Sequence, residues 1–166
     1  MRLREYIPTD AESLAAIYRD AARTLGRQGY TTGQTRIWAR HPEDLDKFRI
    51  ALSHGLTVCA LVSDSPVAFG QMDSADHVAY LYCHSAHARR GYASAILARL
   101  EGYASSHRVT IVRVEASCVA RPFFEHAGYR VVEEEHPVRH GMEFIRFKME
   151  KTLAKQAPHG TANRCP

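Results

Sequence analysis

The sequence predicts an α/β fold with a mixed, mostly antiparallel sheet flanked by helices. Helical periodicity dominates the first third of the chain, after a short edge strand. From Leu56 to Cys83 three strand-like segments follow one another with short links, which favours an antiparallel meander. An amphipathic helix then separates this meander from another strand-like segment, and a strand–helix–strand unit implies a parallel pairing with a right-handed crossover.

The N-terminal third is predicted to contain one strand and three helices. Residues 1–6 form the edge strand, and Thr9-x-x-Glu12 has the pattern of a capping box at a helix start. Thr31-x-x-Gln34 caps a second, short helix, and Pro42 suits the first position of a third. The buried face of the first helix follows the 3, 4 and 7 spacing, at Leu14, Ile17, Tyr18, Ala21 and Leu25.

The rest of the chain supplies the meander, the crossover and the last strands. Strands are predicted over residues 56–62, 67–72 and 77–83, with a turn at Asp64-Ser65-Pro66. Residues 109–114 are apolar almost throughout, which predicts a strand covered on both faces. The long helix between these strands buries Ala93, Ile96, Leu97, Leu100 and Ala104. A short helix and two strands complete the fold, over residues 120–127, 129–132 and 142–149.

Length and composition indicate one globular domain. We expect it over residues 1–150 of the 166, and we expect residues 151–166, which have no apolar period, to be disordered. A hydrophobic fraction of 45% with 24% charged residues excludes disorder for the bulk of the chain. No apolar run is long enough for a membrane span and the N-terminus lacks the apolar core of a signal peptide. We therefore expect a cytoplasmic protein without membrane contact.

Cysteine, histidine and charge patterns restrict the ligands. No CxxC pair occurs, so neither a zinc ribbon nor a disulfide framework is indicated. His84-x-x-His87 lies in a loop and Pro137 interrupts His136-x-x-x-His140, so no metal is expected. A net charge of +4 is compatible with an anionic ligand, but no Lys/Arg-rich block occurs, so nucleic acid is not an expected partner. The free thiols are expected at Cys59, Cys83, Cys118 and Cys165.

Residues 88–94, with the sequence ARRGYAS, lie between an apolar strand and the long helix. A helix start exposes unpaired backbone N–H groups with about half a positive charge, and Arg89 and Arg90 reinforce it. Gly91 lets the backbone approach phosphates closely. The segment is neither a Walker loop nor a GxGxxG motif. It indicates a pyrophosphate cradle, and the alternative is an ordinary loop with solvated arginines.

A second segment, SCVARPFFEHAGY at residues 117–129, points to a family. Together with LYCHSAHARRGYASAIL at residues 81–97 it resembles the two signature regions of the GNAT superfamily of acetyl-CoA-dependent N-acetyltransferases. The spacing of the regions matches, and the resemblance covers the chain from about Leu56 to Met149. Two segments, ARPFFEHAGY at residues 120–129 and GYTTGQTRIWA at residues 29–39, are similar to the small bacterial acetyltransferases of the YafP type.

This resemblance implies a sheet splayed between its fourth and fifth strands, with acetyl-CoA in the gap as co-substrate. An acceptor amine would attack the thioester directly in a ternary complex, without an acyl-enzyme. The thioester would lie beside the backbone of Leu81, Tyr82 and Cys83. The pyrophosphate would be bound by Arg89, Arg90, Gly91, Tyr92, Ala93 and Ser94. The pantetheine side would be lined by Ser117, Ala120, Phe123 and Phe124.

The sequence departs from the family pattern at two positions. Ala88 replaces the usual Gln or Arg of the pyrophosphate loop, and Phe124 stands where many members carry a tyrosine that protonates coenzyme A. Because a phenyl ring donates no proton, water or Tyr82 is expected to replace it, unless catalysis proceeds without an acid. The candidate general bases are His77 and Glu115, and for each the alternative is an ordinary surface residue.

Tyr30 and Trp38 lie in the helical region that covers the acceptor pocket in this family. We expect both to line that pocket, with plain core as the alternative for Trp38. The acceptor stays open among a small amine or amino acid, an aminoglycoside-like compound or toxin, and a protein N-terminus or lysine. A homodimer is the commonest assembly for small soluble enzymes. The rival hypothesis is a catalytically silent acyl-CoA-binding sensor or interaction module.

Overall fold

The structure, a computed structural model, describes residues 1–154. These residues form strands at β1 (Arg2–Glu5), β2 (Leu56–Val62), β3 (Ser65–Ser74), β4 (His77–Cys83), β5 (Ile111–Ser117), β6 (Arg130–Glu135), β7 (Val138–Arg139), β8 (Met142–Glu143) and β9 (Arg146–Thr152). The α-helices are α1 (Ala11–Thr24), α2 (Thr32–Trp38), α3 (Leu45–Leu52), α4 (Tyr92–Ser106) and α5 (Arg121–His126).

Seven of the strands form one sheet in the order β1-β2-β3-β4-β5-β9-β6, and β7 pairs with β8 in a separate hairpin. Neighbours in the large sheet are antiparallel, except β4 and β5, which are parallel. The predicted meander, β2 to β4, and the strand–helix–strand crossover are therefore confirmed. The fold class is the predicted mixed, mostly antiparallel sheet flanked by helices.

The sheet is splayed between β4 and β5. The two strands pair only at His77 with Arg113 and at Val78 with Val114, although β4 continues to Cys83. On its other edge β4 shifts register against β3, so that Ala79 has no partner between the pairs at Val78 and Tyr80. An unpaired residue of this kind bends a strand and increases its twist. The sheet therefore opens after Val78, as predicted.

The two faces of the sheet carry separate cores. Helix α4 packs against β2, β3 and β4, with Ile96 and Leu100 fully buried. Helices α1 and α3 cover the opposite face, where Leu14, Phe48 and Phe69 meet. Strand β2 contributes to both cores and is buried through nearly its whole length.

The prediction that residues 109–114 form a strand covered on both faces is wrong. Strand β5 begins at Ile111 and its residues alternate between buried and exposed, with Arg113 and Glu115 open to solvent. Its apolar side chains, such as Val112 and Val114, belong to the α4-side core. Helices α1 and α3 do not extend over this half of the sheet, so one face of β5 stays exposed.

The helix starts are partly as predicted. The Thr31–Gln34 capping box is present, with the Gln34 N–H donating to Thr31 Oγ1 at 3.2 Å. The prediction of a capping box at Thr9-x-x-Glu12 is wrong. No side chain caps α1, and the Asp10 carboxylate instead accepts the Ile7 N–H. The third helix begins at Leu45 behind an Asp44 cap, and Pro42 lies in a preceding 3-10 turn.

Several strand boundaries also differ from prediction, as for β3, found over Ser65–Ser74, and β6, found over Arg130–Glu135. The β2–β3 turn falls at Ser63 and Asp64, both with positive φ, which is one residue earlier than expected. The single strand predicted over residues 142–149 is two strands, β8 and β9. Strand β9 runs to Thr152, and the buried Leu153 follows it. The folded part therefore extends past the predicted end at residue 150, and the rest of the tail predicted to be disordered, residues 155–166, lies outside the described part.

The cysteines and the absence of a membrane span are compared with prediction over residues 1–154. Cys59, Cys83 and Cys118 are free thiols, and Cys165 lies outside the described part. Within residues 1–154 no helix has the length and apolar character needed to cross a bilayer.

Candidate active site

A cavity of about 170 Å³ lies beside the splay of the sheet. Strand β4 forms one wall with Tyr80 and Tyr82, and β5 contributes Ser117 at its end. The other walls come from α1, α2, the turn after α2 and the segment around the β7–β8 hairpin. They comprise Tyr18, Tyr30, Trp38, His41, Pro137, Arg139, Phe144 and Arg146, while Ala79 belongs to the β4 wall.

Tyr30 and Trp38, predicted to line the acceptor pocket, both lie in the wall of this cavity. The Trp38 Nε1–H donates to the Tyr82 hydroxyl at 3.1 Å. The Tyr30 hydroxyl donates to the Ile145 carbonyl at 2.5 Å and accepts the Cys118 N–H at 3.1 Å. Burial raises the pKa of Tyr30, which keeps this hydroxyl protonated. Tyr30 therefore joins the segment before α2 to the residue after β5 and to the residue before β9.

Strand β4 presents different side chains to the two faces of the sheet. Tyr82 faces the cavity, with its ring centroid 4.2 Å from that of Tyr18. Leu81 and Cys83 pack against the α4-side core. Burial raises the pKa of both Tyr82 and Cys83, so the phenol and the thiol stay protonated at neutral pH.

The start of α4 has no side-chain cap. The first intrahelical bond runs from the Ala95 N–H to the Gly91 carbonyl at 3.0 Å, so the N–H groups of Tyr92, Ala93 and Ser94 have no partner within the helix. Gly91 has a φ of 82°, and a Cβ there would meet only Met1 Cε at 4.0 Å.

The residues before Gly91 add positive charge to this helix start. Arg89 and Arg90 are exposed, and Arg89 also has a positive φ, of 59°. The loop is tied to α1, because the Asp20 carboxylate accepts the Ser85 N–H at 2.6 Å and the Ser85 hydroxyl at 3.1 Å. Three amides that have no hydrogen-bond partner among residues 1–154, beside two arginines, fit a diphosphate.

The residues predicted for the pantetheine side lie around the end of β5 and α5. The Ser117 hydroxyl accepts the Ala120 N–H at 3.1 Å and lines the cavity. Ala120 and Phe123 are half-buried against the α4-side core. Phe124 is only 3% exposed and packs edge-on against Tyr129 at a centroid distance of 5.1 Å. Its ring is therefore enclosed by protein.

The two candidate bases, His77 and Glu115, are hydrogen-bonded to each other. His77 Nε2 lies 2.7 Å from Glu115 Oε2, and His77 Nδ1 lies 2.8 Å from Asp73 Oδ1. Burial alone would lower the pKa of His77, but the two carboxylates outweigh it and the net pKa is raised. Ala79 and Ser117 line the cavity two residues further along each strand, which puts this cluster about 7 Å from it.

Histidine pairs with metal-like spacing do not assemble a site in the described chain. The rings of His84 and His87 meet edge-on at 6.0 Å, and His136 pairs with Glu134 and Glu143. Among residues 1–154 no group of three or more His, Cys, Asp and Glu side chains could hold a metal ion.

Sequence reasoning missed several cavity residues, notably His41, Tyr80 and Arg139. His41 Nε2 lies 2.8 Å from the Tyr80 hydroxyl, and its ring stacks on Tyr18 at 5.3 Å. Burial, and to a lesser extent the charge of Arg139, lowers the pKa of His41, so the imidazole is neutral at pH 7. Pro137 just before the hairpin and Gly141 in its turn could have indicated it.

A sheet that opens at its parallel strand pair, next to an uncapped helix start, is the architecture of an acyl-CoA-dependent acetyltransferase. The family model described as acetyltransferase (GNAT) domain matches residues 4–152, and the chain belongs to this family. It is thus an acetyltransferase of a family whose acyl donor is acetyl-CoA, which confirms the predicted enzyme class and co-substrate.

Individual relatives agree. The chain is 31% identical over 150 residues to the uncharacterised N-acetyltransferase YafP of Escherichia coli K12, covering 90% of this chain and 94% of that protein. A crystal structure of a GCN5-related N-acetyltransferase from Rhodopseudomonas palustris has 31% identity and a TM-score of 0.89 over 92% of this chain and 95% of that one. PaiA N-acetyltransferase from Thermoplasma acidophilum, solved with coenzyme A, has the same fold at 15% identity, with a TM-score of 0.75 over 92% and 98% of the two chains.

Proposed function

We propose that the protein transfers the acetyl group of acetyl-CoA to a primary amine by direct attack in a ternary complex. The position of β4 carries this proposal. Beyond Val78 the strand has no partner in β5, and its Tyr82 faces the cavity while Leu81 and Cys83 face the α4 side. A carrier lying in the splay would therefore present its acyl group to an amine in the cavity.

The donor would be bound by groups at both ends of the splay. The amides of Gly91, Tyr92, Ala93 and Ser94, with Arg89 and Arg90, would hold the pyrophosphate. Ser117, Ala120 and Phe123, which lie together around α5, would line the pantetheine side, and the enclosed ring of Phe124 would support Phe123 from within the core. Acetyl-CoA supplies the activated acyl group as a thioester.

The backbone of β4 would stabilise the charge that develops on the acyl oxygen. Strand β4 carries N–H groups without a β5 partner over Ala79 to Cys83, beside the shift of register at Ala79. A fixed N–H donor of this kind stabilises an oxyanion without reorganisation. Because burial raises the pKa of Cys83, its thiol stays protonated, which favours direct attack over an acyl-enzyme.

Proton transfer would involve the cluster of Asp73, His77 and Glu115 together with Tyr82. In the reaction the amine nitrogen forms a bond to the acyl carbon and the carbon–sulfur bond breaks. The proton lost by the amine would pass through a short chain of waters to His77 Nε2, which would become free to accept it when the Glu115 carboxylate turns away, while Asp73 keeps the ring oriented through Nδ1. The departing thiolate would take a proton from the Tyr82 hydroxyl or from water, since Phe124 offers none.

Substitutions at Gly91 test the cradle. Gly91→Glu places a negative charge among the phosphate-binding amides and should weaken coenzyme A binding about a hundredfold. Gly91→Ala adds only the strain of a positive φ, about 1–2 kcal/mol, and should retain more of the affinity. Gly102→Glu makes the same change on the exposed face of the same helix, where a Cβ meets nothing within 4 Å, and should bind normally.

Calorimetry with coenzyme A and thiol release with a panel of primary amines are the two measurements. Unchanged affinity in Gly91→Glu would contradict the cradle. Tight binding of acetyl-CoA without transfer to any amine above background would contradict the proposed reaction and support the silent sensor.

A further inference from the structure

The charged side chains in the wall of the cavity are all positive among the described residues. Two arginines, Arg139 and Arg146, line it, and its wall contains no aspartate or glutamate from the described part of the chain. Arg146 is compensated, since its Nε donates to the Glu135 carboxylate at 2.7 Å. Arg139 has no carboxylate within 4.0 Å anywhere in residues 1–154. The cavity therefore holds one guanidinium without an acidic partner.

The position of Arg139 is fixed by the hairpin. It lies on β7, where it pairs with Met142 of β8. Strand β8 is in turn attached to α2, because Gln34 Nε2–H donates to the Glu143 carbonyl at 2.7 Å. Met142 also packs so close to Gly33 that a Cβ there would lie 2.6 Å from its methyl group. A charged group on this hairpin is thus presented by a tethered element.

The charge of Arg139 acts across the cavity. It contributes, after burial, to lowering the pKa of His41 on one wall, and it favours the ionised form of Tyr82 on another. Neutral His41 adds no second positive charge at pH 7. The remaining wall is mostly aromatic, formed by Tyr18, Tyr30, Trp38, Tyr80, Tyr82 and Phe144.

We propose that the acceptor is a small primary amine that also carries a carboxylate and a flat apolar body, as an aromatic amino acid does. This inference rests on the proposed acetyl transfer. A guanidinium binds a carboxylate through two parallel hydrogen bonds, and aromatic walls bind a flat ring by stacking. A polycation of the aminoglycoside kind would instead face an unpaired positive charge in a cavity without carboxylates, which disfavours it.

Matched acceptors test this substrate class. L-Phenylalanine and 2-phenylethylamine differ by the carboxylate, and L-phenylalaninamide keeps its size without its charge. With wild-type protein and saturating acetyl-CoA, kcat/KM from thiol release should favour phenylalanine over both. Arg139→Gln should reduce that preference about tenfold through KM, because one charge-assisted pair is lost. Because both proteins are given the same amines, the intrinsic reactivity of each amine cancels when the preference of the wild type is divided by that of Arg139→Gln.

Arg36→Gln is the control. It removes the same charge from the exposed face of α2, outside the cavity wall, and should leave the preference unchanged. Equal or better use of 2-phenylethylamine by the wild type, or an unaltered preference in Arg139→Gln, would overturn the inference while leaving amine acetylation intact.

Failure of transfer to all three compounds would count against the proposed reaction, and a binding measurement then decides the substrate class. Calorimetry of the protein loaded with coenzyme A should show that phenylalanine binds more tightly than 2-phenylethylamine. The difference should disappear in Arg139→Gln. Equal binding of the two compounds by the wild type would refute the inference regardless of turnover.

Discussion

His41, in the cavity wall, and His77, about 7 Å away along β4, have pKa values shifted in opposite directions. Carboxylates on both ring nitrogens outweigh burial and raise the pKa of His77, whereas burial and the charge of Arg139 lower the pKa of His41. A base acts only when unprotonated, so activity increases as pH rises through the pKa of the base. The acidic limb of the pH profile therefore distinguishes the two residues.

If His77 accepts the proton, kcat/KM should rise with pH along a limb whose midpoint lies above 6.5, the ordinary value for histidine. His77→Gln should lower the rate at neutral pH about a hundredfold and move the limb toward the pKa of the amine itself. His41→Gln is the control and should keep the limb in place. A limb below 6.5 that is lost in His41→Gln would assign the role to His41.

Glu115 is expected to act through His77. Glu115→Gln removes one of the carboxylates that favour the imidazolium, so the limb should shift to lower pH while Asp73 still binds the ring. A loss of rate at all pH values, without a shift, would mean that Glu115 serves only as a structural partner. The pH profile of kcat/KM for the variant and the wild type is the measurement.

Individual residues differed in how far the sequence could predict them. His77 and Glu115 were identifiable as titratable groups on strands, but their hydrogen bond depends on the parallel pairing of β4 and β5. His41 and Arg139 lie in a turn and a short hairpin, where no periodicity indicates which way a side chain points. Long-range contacts, rather than local pattern, bring them to the cavity.

The Tyr30 hydroxyl connects the segment before α2 to the backbone of Cys118, after β5, and to that of Ile145, before β9. In Tyr30→Phe, the Cys118 N–H and the Ile145 carbonyl lose their shared partner. The loss should lower the free energy of unfolding by about 1–2 kcal/mol. Tyr103→Phe is the control, since the Tyr103 hydroxyl has no hydrogen bond within the described residues, and it should be near neutral. Urea unfolding measures both, and equal stability of the two variants would contradict the role of Tyr30.

Periodicity predicted the helices and strands well where one chain segment decides the outcome. The face of α1 and the meander follow from local spacing, and so does the Thr31–Gln34 cap. The prediction was wrong where a residue distant in the sequence hydrogen-bonds to a group that local spacing assigned to a strand or a cap. Residues 144 and 145 leave the strand because Pro137 and Tyr30 bind their N–H and carbonyl groups. Asp10 replaces the expected cap because Arg4 of β1 pairs with its carboxylate.

The sheet consists of two halves that differ in cover. Strands β1 to β4 lie between α4 and the layer formed by α1 and α3. Strands β5, β9 and β6 have one solvent-exposed face, which carries charged side chains such as Lys148, paired with Glu133 and Glu135. The splay separates these halves. No local pattern predicts such an opening, so the sequence indicated it only through the resemblance to a family.

Helix α4, which begins at the proposed phosphate cradle, packs on the sheet at Gly70 in β3. A Cβ at that position would lie 2.6 Å from Ile96 Cγ2 and 3.0 Å from Leu81 Cδ1. Gly70→Ala should therefore push α4 away from β4 and lower the free energy of unfolding by about 1–3 kcal/mol.

On the exposed side of α4, replacing a glycine by alanine is expected to stabilise the protein rather than destabilise it. Gly102 has open space around it, so Gly102→Ala should raise stability by about 0.5–1 kcal/mol, because alanine loses less conformational freedom in a helix. Urea unfolding of the two alanine variants should thus give changes of opposite sign. Calorimetry with coenzyme A should show weaker binding only in Gly70→Ala, since that variant alone shifts the helix start relative to the splay. Equal stability and equal affinity in the two variants would show that the seat of α4 on Gly70 does not position the cradle.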